Sequence, residues 1–147
     1  MRLALDSNIL VYAEGVNGEK KKRMAVDILQ KLDPAELVIP VQALGELFHV
    51  LVRKAGFTAA RAQKAVHDWH ELSNITETSW AVLSSAIKLA STHHLSIWDS
   101  VILATAAESH CRLLLSEDLQ NGFGWAGVTV CNPFSSSGQA LLQSLFA

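Results

Sequence analysis

Four acidic residues stand far apart in the chain, each where an apolar segment gives way to a turn or a helix: Asp6, Glu46, Asp99 and Asp118. An ionised carboxylate beside a buried element costs free energy unless it is capped, paired or bound to a metal ion. One such acid means little, but four with this placement predict a carboxylate cluster. Clustered oxygen ligands favour hard cations, Mg²⁺ or Mn²⁺, and so indicate phosphate chemistry.

Two of these acids also have simpler interpretations. Aspartate is a preferred N-cap, so Asp6 could cap the helix that follows it, and Asp118 could be a turn residue. Asp99 is harder to explain, because its helix is hydrophobic almost all round and should be buried. Its neighbours Ile102 and Leu103 cannot pair with a carboxylate. Capping stays open for Asp99, but a bound metal ion explains its burial better.

The fourth acid, Glu46, belongs to a polar stripe along one helix, formed by Gln42, Glu46, His49 and Arg53. The stripe has two interpretations. It is an ordinary solvated face, or it faces a catalytic cleft, with Glu46 toward the metal and Arg53 toward a phosphate.

Other catalytic motifs are weak in this sequence. His67 and His70 share a helix face but have no third ligand for zinc. There is no G-x-S-x-G elbow and no glycine-rich phosphate loop. An aspartyl-phosphate phosphatase would also begin with an acid after its first strand, but Asn8 stands where its second acid would be.

Composition sets outer limits on the fold and on the partners. The chain has 147 residues, 50% hydrophobic and 18% charged, which predicts one globular domain with a full core. The net charge of −2 lacks the basic excess of a dedicated nucleic-acid binder without excluding one, since an acidic site lowers the total. The basic run at residues 20–23 is a solvated face or a phosphate contact. With no membrane-spanning run, no signal peptide and two cysteines expected to be reduced and buried, we expect a cytoplasmic protein.

The elements that position the acids alternate between short apolar strands and longer helices. The predicted strands cover residues 3–5, 37–39, 73–76, 112–115 and 128–130. The predicted helices cover residues 7–13, 19–32, 40–54, 59–72, about 79–93 and 99–109. This alternation favours an α/β fold, a three-layer α/β/α sandwich with a central, mainly parallel sheet. Ligands collect at the carboxyl ends of such strands, where Asp6 and Asp118 are expected.

Four segments of the sequence together resemble a known family. They are the D-S-N-I-L-V-Y-A that starts at Asp6, the Glu46 helix after a short strand, I-W-D-S-V-I-L-A-T-A, and L-L-S-E-D-L-Q-N-G. In this order they resemble PIN-domain ribonucleases, and most of all the VapC-type toxins of bacterial type II toxin–antitoxin pairs. The resemblance covers residues 1–134.

The resemblance implies a metal-dependent endoribonuclease that cleaves RNA phosphodiester bonds. Asp6, Glu46, Asp99 and Asp118 fall on the catalytic, metal-binding positions of the family, with Mg²⁺ or Mn²⁺ as cofactor. Asn8 and Ser116 fall on its supporting polar positions. The alternative is a non-catalytic RNA- or protein-binding module on the same fold.

The resemblance also implies partners. VapC-type toxins typically pair with a small antitoxin protein and form homodimers. Here the antitoxin is expected on the Glu46 helix and the helix through Leu72, with Trp69 and Arg53 taking part.

The tail departs from the family pattern. Residues 135–147 extend beyond the expected end, and their apolar residues predict a short amphipathic helix. The sequence leaves open whether this tail packs on the body, joins a dimer interface or is disordered.

Overall fold

The computed structural model describes residues 1–146, and in that range one six-stranded sheet is flanked by seven helices. The strands are β1 (Leu3–Leu5), β2 (Leu37–Pro40), β3 (Asn74–Thr76), β4 (Leu113–Leu115), β5 (Gly124–Trp125) and β6 (Val128–Cys131). The helices are α1 (Ser7–Ala13), α2 (Glu19–Gln30), α3 (Val41–Arg53), α4 (Ala59–Leu72), α5 (Trp80–His93), α6 (Ile97–Glu108) and α7 (Ser136–Phe146).

The sheet is parallel except at one edge. Its strand order is β3-β2-β1-β4-β6-β5, and only β5 runs antiparallel to its neighbour. Leu3 of β1 lies opposite Leu37 of β2 and Leu113 of β4. Every residue of β1, β2 and β4 is buried, as expected for parallel strands covered on both faces. The predicted α/β/α sandwich with a mainly parallel sheet is confirmed.

Strand β5 was not predicted. This two-residue strand forms a tight hairpin with β6 through Ala126 and Gly127, whose φ angles of 49° and 84° are both positive. Such a turn matches the twist of an antiparallel pair. A strand of two residues is too short to show a period-2 pattern, so no alternation could reveal it.

Two predicted helix starts were wrong. Pro40 is the last residue of β2 and the N-cap residue of α3, not part of its first turn. Helix α6 begins at Ile97, because the Ser96 side chain accepts a hydrogen bond from the backbone N–H of Asp99. Asp99 is therefore the third residue of α6 rather than its first.

The last helix, α7, packs on the body of the domain, and Leu142 joins the hydrophobic core. Gly138 allows this close approach. A Cβ atom placed there would lie 1.7 Å from the carbonyl oxygen of Asn132, so no other residue fits without a shift of the backbone.

Both cysteines, Cys111 and Cys131, are buried free thiols, as expected, and burial raises the pKa of each to about 11. No helix within residues 1–146 is both long enough and apolar enough to cross a membrane.

Candidate active site

The site starts at two neighbouring strand ends. Strands β1 and β4 are parallel and paired, so their carboxyl ends reach the same edge of the sheet. Asp6 directly follows β1, and its backbone N–H donates to the carbonyl of Leu115 at 3.0 Å, which continues the ladder by one residue. Asp118 follows β4 by three residues. The two acids therefore meet at the edge where ligands bind in such sheets.

A cleft of about 730 Å³ opens at this edge, and all four predicted acids line it. Asp6 and Asp118 come from the sheet, Glu46 from α3 and Asp99 from α6. We call the first pair, with Asn8 and Ser116, the anchored half of the cleft. Glu46 and Asp99 form the open half.

Asp6 is the buried acid of the anchored half, with 3% of its surface exposed. Its Oδ1 accepts from the backbone N–H of Ser7 at 2.7 Å, so Asp6 is also the N-cap of α1. Its Oδ2 accepts from Ser116 Oγ at 2.7 Å and from Asn8 Nδ2 at 3.3 Å. A carboxylate has about four acceptor positions. With three donors bound, one position on Oδ1 remains for a further ligand.

The same network holds Asp118. Asn8 Nδ2 lies 3.2 Å from Asp118 Oδ2, and Asn8 Oδ1 accepts from the backbone N–H of Glu117 at 3.1 Å. Ser116 Oγ accepts from the backbone N–H groups of Asp118 at 3.2 Å and Leu119 at 3.3 Å. The two polar residues therefore fix both the loop after β4 and the carboxylate it carries, although Asp118 itself is exposed.

Burial raises the pKa of Asp6 from 3.8 to about 6, because desolvation penalises the charged form. The hydrogen bonds from Ser116 and Ser7 oppose this shift, and the negative charges of Glu46 and Asp99 add to it. Asp6 therefore interacts electrostatically with both acids of the open half. A cation in the cleft would relieve this repulsion.

The two acids of the open half are more exposed than Asp6 and have fewer hydrogen-bond partners. Glu46 is half-buried, and its Oε1 accepts from Gln42 Nε2, one turn earlier in α3, at 3.2 Å. Asp99 is also half-buried, which corrects the expectation that it is buried with its helix. The fully buried stretch of α6 starts one residue later, at Ser100. Desolvation still raises the pKa of Asp99, and a hydrogen bond from Ser96 lowers it; the charges of Asp118 and Glu46 raise it further.

Four carboxylates line the cleft, a donor set that fits a hard cation by chemical type, and His49 lines it as well. Within residues 1–146, no three His, Cys, Asp or Glu side chains lie close enough together to hold one metal ion. Mg²⁺ keeps several of its waters and is commonly held by one or two carboxylates. The described side chains therefore form no ready cage of three ligands, and one or two carboxylates of the cleft would have to hold a cation together with its waters.

Two other expected residues lie elsewhere. Arg53 is exposed, at the last residue of α3, and is not among the residues that line the cleft. Trp69 is only 7% exposed, and its Nε1 donates to Glu14 Oε1 at 2.9 Å. Trp69 therefore joins α4 to the end of α1 inside the fold and does not offer its indole to a partner.

Gln42 and His49 line the cleft beside Glu46, which agrees with the second interpretation of the stripe along α3. The structure also adds residues that the sequence analysis did not place in the site. Thr78 and Trp98 line it as well. Trp98 could have been predicted as a site residue from the sequence, because it directly precedes Asp99.

Comparison with known proteins agrees with this fold. The family model of the PIN domain matches residues 3–121, which is most of the chain. The chain belongs to the PIN-domain family. No curated protein matches it significantly in sequence.

Several solved structures have a similar fold. The VapC20 toxin of Mycobacterium tuberculosis, described as cleaving the sarcin–ricin loop, has a TM-score of 0.68 at 15% identity, covering 79% of this chain and 89% of that one. A toxin–antitoxin complex from Klebsiella pneumoniae has a TM-score of 0.69 at 22% identity, covering 91% and 98%. VapBC2 from Rickettsia felis, bound to a DNA fragment from its promoter, has a TM-score of 0.65 at 16% identity, covering 88% and 97%.

Proposed function

We propose that this protein is a metal-dependent endoribonuclease and the toxin of a toxin–antitoxin pair. One observation carries the proposal: the four acids that the sequence places far apart line a single cleft at the carboxyl edge of a PIN-domain sheet. Residues 1–134 would form the nuclease domain. Similar structures described as toxins or toxin–antitoxin complexes support the toxin role and a small antitoxin protein as partner. We extend the proposal to a homodimer.

In this proposal the four acids bind Mg²⁺ or Mn²⁺, one or two of them directly and the others through its waters, and Asn8 and Ser116 orient the anchored pair. The cation, when bound, supplies charge stabilisation for the phosphate and a water of lowered pKa. The protein's own contribution is to fix the donors before the substrate arrives. Ser116 and Asn8 do this for Asp6 and Asp118 through the contacts of 2.7–3.3 Å between their side chains.

A second candidate is a non-catalytic RNA- or protein-binding module on the same fold. It is favoured by the spacing of the acids, because no three ligands in the described part of the chain form a ready cage. The nuclease is favoured by the presence of all four acids and both supporting polar residues, since a site without catalysis has no need to keep charges that repel one another.

An RNA cleavage assay separates the two candidates. Purified protein is incubated with structured and unstructured RNAs in Mg²⁺, in Mn²⁺ and in EDTA, alongside Asp6→Asn and Asp99→Asn. Asp68→Asn is the matched control, because Asp68 is an exposed acid paired with Lys64 away from the cleft. The nuclease predicts cleavage that needs the metal, leaves 5′-phosphate ends, and is lost in the two site variants only. RNA binding without cleavage in any metal would leave the binding module.

A further inference from the structure

A large aromatic side chain stands at the mouth of the cleft in contact with solvent. Trp98, the second residue of α6, is 60% exposed and lines the cleft that holds the acids. Val41, at the start of α3, is 39% exposed and lines the same cleft. The cleft therefore has carboxylates and an apolar patch that nothing in the described chain covers.

The position of this indole relative to the acids is fixed by the helix start. Since α6 begins at Ile97 with its cap at Ser96, Trp98 and Asp99 are consecutive residues of one first turn. An RNA strand carries one base for each phosphate. A phosphodiester placed at the acids therefore brings a neighbouring base within reach of Trp98.

We propose that Trp98 is a substrate-contacting residue, which stacks against an unpaired base next to the phosphodiester bound at the acids. This rests on the proposed function. Unpaired bases stack on exposed aromatic side chains, whereas bases inside a duplex are already stacked on one another. Gln42 and His49 line the same cleft and can donate to or accept from a base edge. The carboxylates of the cleft repel an acidic peptide and an RNA phosphate alike. In the proposed function these carboxylates bind a metal ion, and the phosphate of the RNA is held through that ion.

The test compares two exposed tryptophans. Trp80 is 75% exposed in the first turn of α5 but does not line the cleft, so Trp80→Ala is the control for Trp98→Ala. Trp98→Phe keeps an aromatic face. Dissociation constants are measured in the wild-type background with Ca²⁺ in place of Mg²⁺, as a hard cation that also takes oxygen ligands. The ligands are an 8-nucleotide single strand, the same strand with one abasic site at each position in turn, and the matching duplex.

We expect Trp98→Ala to weaken binding of the single strand about 5- to 150-fold, the effect of losing one stacked base. Trp98→Phe should stay within about threefold of its parent, and Trp80→Ala should bind as its parent does. An abasic site at one position of the strand should weaken binding by the parent protein. The same abasic site should not weaken binding by Trp98→Ala any further. Equal binding of the single strand by Trp98→Ala and its parent would overturn the proposal, as would equal losses for strand and duplex.

Two further outcomes keep this result separate from the proposed function. If wild-type protein binds the strand through Trp98 but cleaves no RNA in any metal, the nuclease fails and the base site stands. If Trp98→Ala releases a co-purified protein partner while RNA binding is unchanged, the indole is a protein contact and the base site fails.

A different observation carries a second inference. Lys21 of α2 places Nζ 2.7 Å from both carboxylate oxygens of Glu117, and 4.5 Å and 5.1 Å from the ring centroids of Tyr12 and Phe134. Glu117 directly precedes Asp118, and its backbone N–H donates to Asn8. Lys21, one residue of the basic run at positions 20–23, thus binds the loop that carries Asp118.

We propose that Lys21 is a positioning residue that holds Glu117, and through it Asp118, in the geometry that receives the metal; this also rests on the proposed function. Exposed and partly exposed ion pairs contribute little to stability. Groups that orient metal ligands from outside, by contrast, commonly change metal affinity by tenfold or more. A positioning role therefore predicts a large effect on metal affinity and a small one on folding.

The test uses Lys21→Met, with Lys20→Met as the matched control, because Lys20 is the exposed neighbour in the same helix. We expect Lys21→Met to raise the Mn²⁺ dissociation constant about tenfold and to lower the melting temperature by no more than about 4 °C. Lys21→Arg should restore most of the affinity. A fall in melting temperature with unchanged Mn²⁺ affinity, or an equal loss in Lys20→Met, would overturn the role. Failure of wild-type protein to bind Mn²⁺ would overturn the metal site itself.

Discussion

The two halves of the cleft use the same side-chain chemistry in different settings. In the anchored half, Asp6 is buried at a strand end, and its carboxylate accepts three hydrogen bonds. In the open half, Glu46 and Asp99 project from helix surfaces, are half-buried, and each has one neighbouring polar partner in its own helix region. The hydrogen bonds at the strand end therefore fix the carboxylate of Asp6, whereas fewer contacts fix the carboxylates of Glu46 and Asp99.

In the proposed metal site the two halves contribute differently. Desolvation makes Asp6 costly to ionise, and the hydrogen bonds from Ser116 and Ser7 offset only part of that cost. The open half lacks such a network, so its acids have room to move toward an ion. The account therefore predicts that both halves matter equally for catalysis but only the anchored half matters for the fold.

The largest expected effect separates activity from stability. Asp99→Asn and Asp6→Asn should each lower RNA cleavage about a hundredfold or more, since each removes a charge that supports a metal contribution of several kcal/mol. Only Asp6→Asn should shift the urea midpoint strongly, because it places an amide group against the donors of Ser116 and Asn8. Single-turnover rates and urea unfolding measure the two effects. Equal losses of stability in both variants would remove the distinction between the halves.

The next effect is a pH dependence of stability without divalent cations. The folded pKa of Asp6 is about 6 against 3.8 for its ordinary value, so between about pH 4 and pH 6 the folded state binds more protons than the unfolded state. Stability therefore falls as the pH rises through this window, by up to about 3 kcal/mol from this group. The measurement is the free energy of unfolding of wild type minus that of Asp6→Asn, in EDTA at pH 4 and pH 7. A difference that moves in favour of the wild type as the pH rises would contradict the burial of Asp6.

A smaller effect is expected for the fully buried Ser116. Its hydroxyl donates to Asp6 and accepts from two backbone N–H groups, so Ser116→Ala leaves buried groups without partners. We expect a loss of about 1–3 kcal/mol in the free energy of unfolding, together with weaker Mn²⁺ binding. Ser91→Ala is the control, because the exposed Ser91 hydroxyl bonds only within its own helix and its loss should change stability by less than about 0.5 kcal/mol. Matching urea midpoints for the two variants would show that the network does not stabilise the fold.

The smallest effect belongs to the open half. Gln42 donates to Glu46 within one helix, partly exposed to water. Gln42→Ala should change the free energy of unfolding by less than about 0.5 kcal/mol and cleavage only a few-fold. A loss of stability as large as that of Ser116→Ala would mean that the open half is anchored too.

The fold and the grouping of the four acids could be predicted because both leave local signals in the sequence. An apolar triplet followed by an aspartate, as at Leu3 to Asp6, predicts a buried strand and a polar residue at its end. The exposure of Asp99 was harder to predict than the positions of the strands. The sequence shows that its helix is apolar all round, but not that the first turn projects into the cleft before the buried stretch begins.

The contacts between distant segments left no such signal. Lys21 and Glu117 are 96 positions apart, and the basic run around Lys21 predicts only a solvated face or a phosphate contact. The roles of Asn8 and Ser116 came from the family resemblance, because no periodicity pairs residues 108 positions apart. Sequence patterns report burial and local geometry, while long-range polar partners require the folded chain.

Calorimetric titration of Mn²⁺ into metal-free protein tests the central claim most directly, that both halves of the cleft hold one cation site. The comparison includes wild type, Asp6→Asn from the anchored half, Asp99→Asn from the open half, and Asp68→Asn as the exposed control. The account predicts that wild type and Asp68→Asn bind Mn²⁺ alike and that each site variant binds at least about tenfold more weakly. Wild-type affinity in both site variants, or no binding by the wild type, would contradict it.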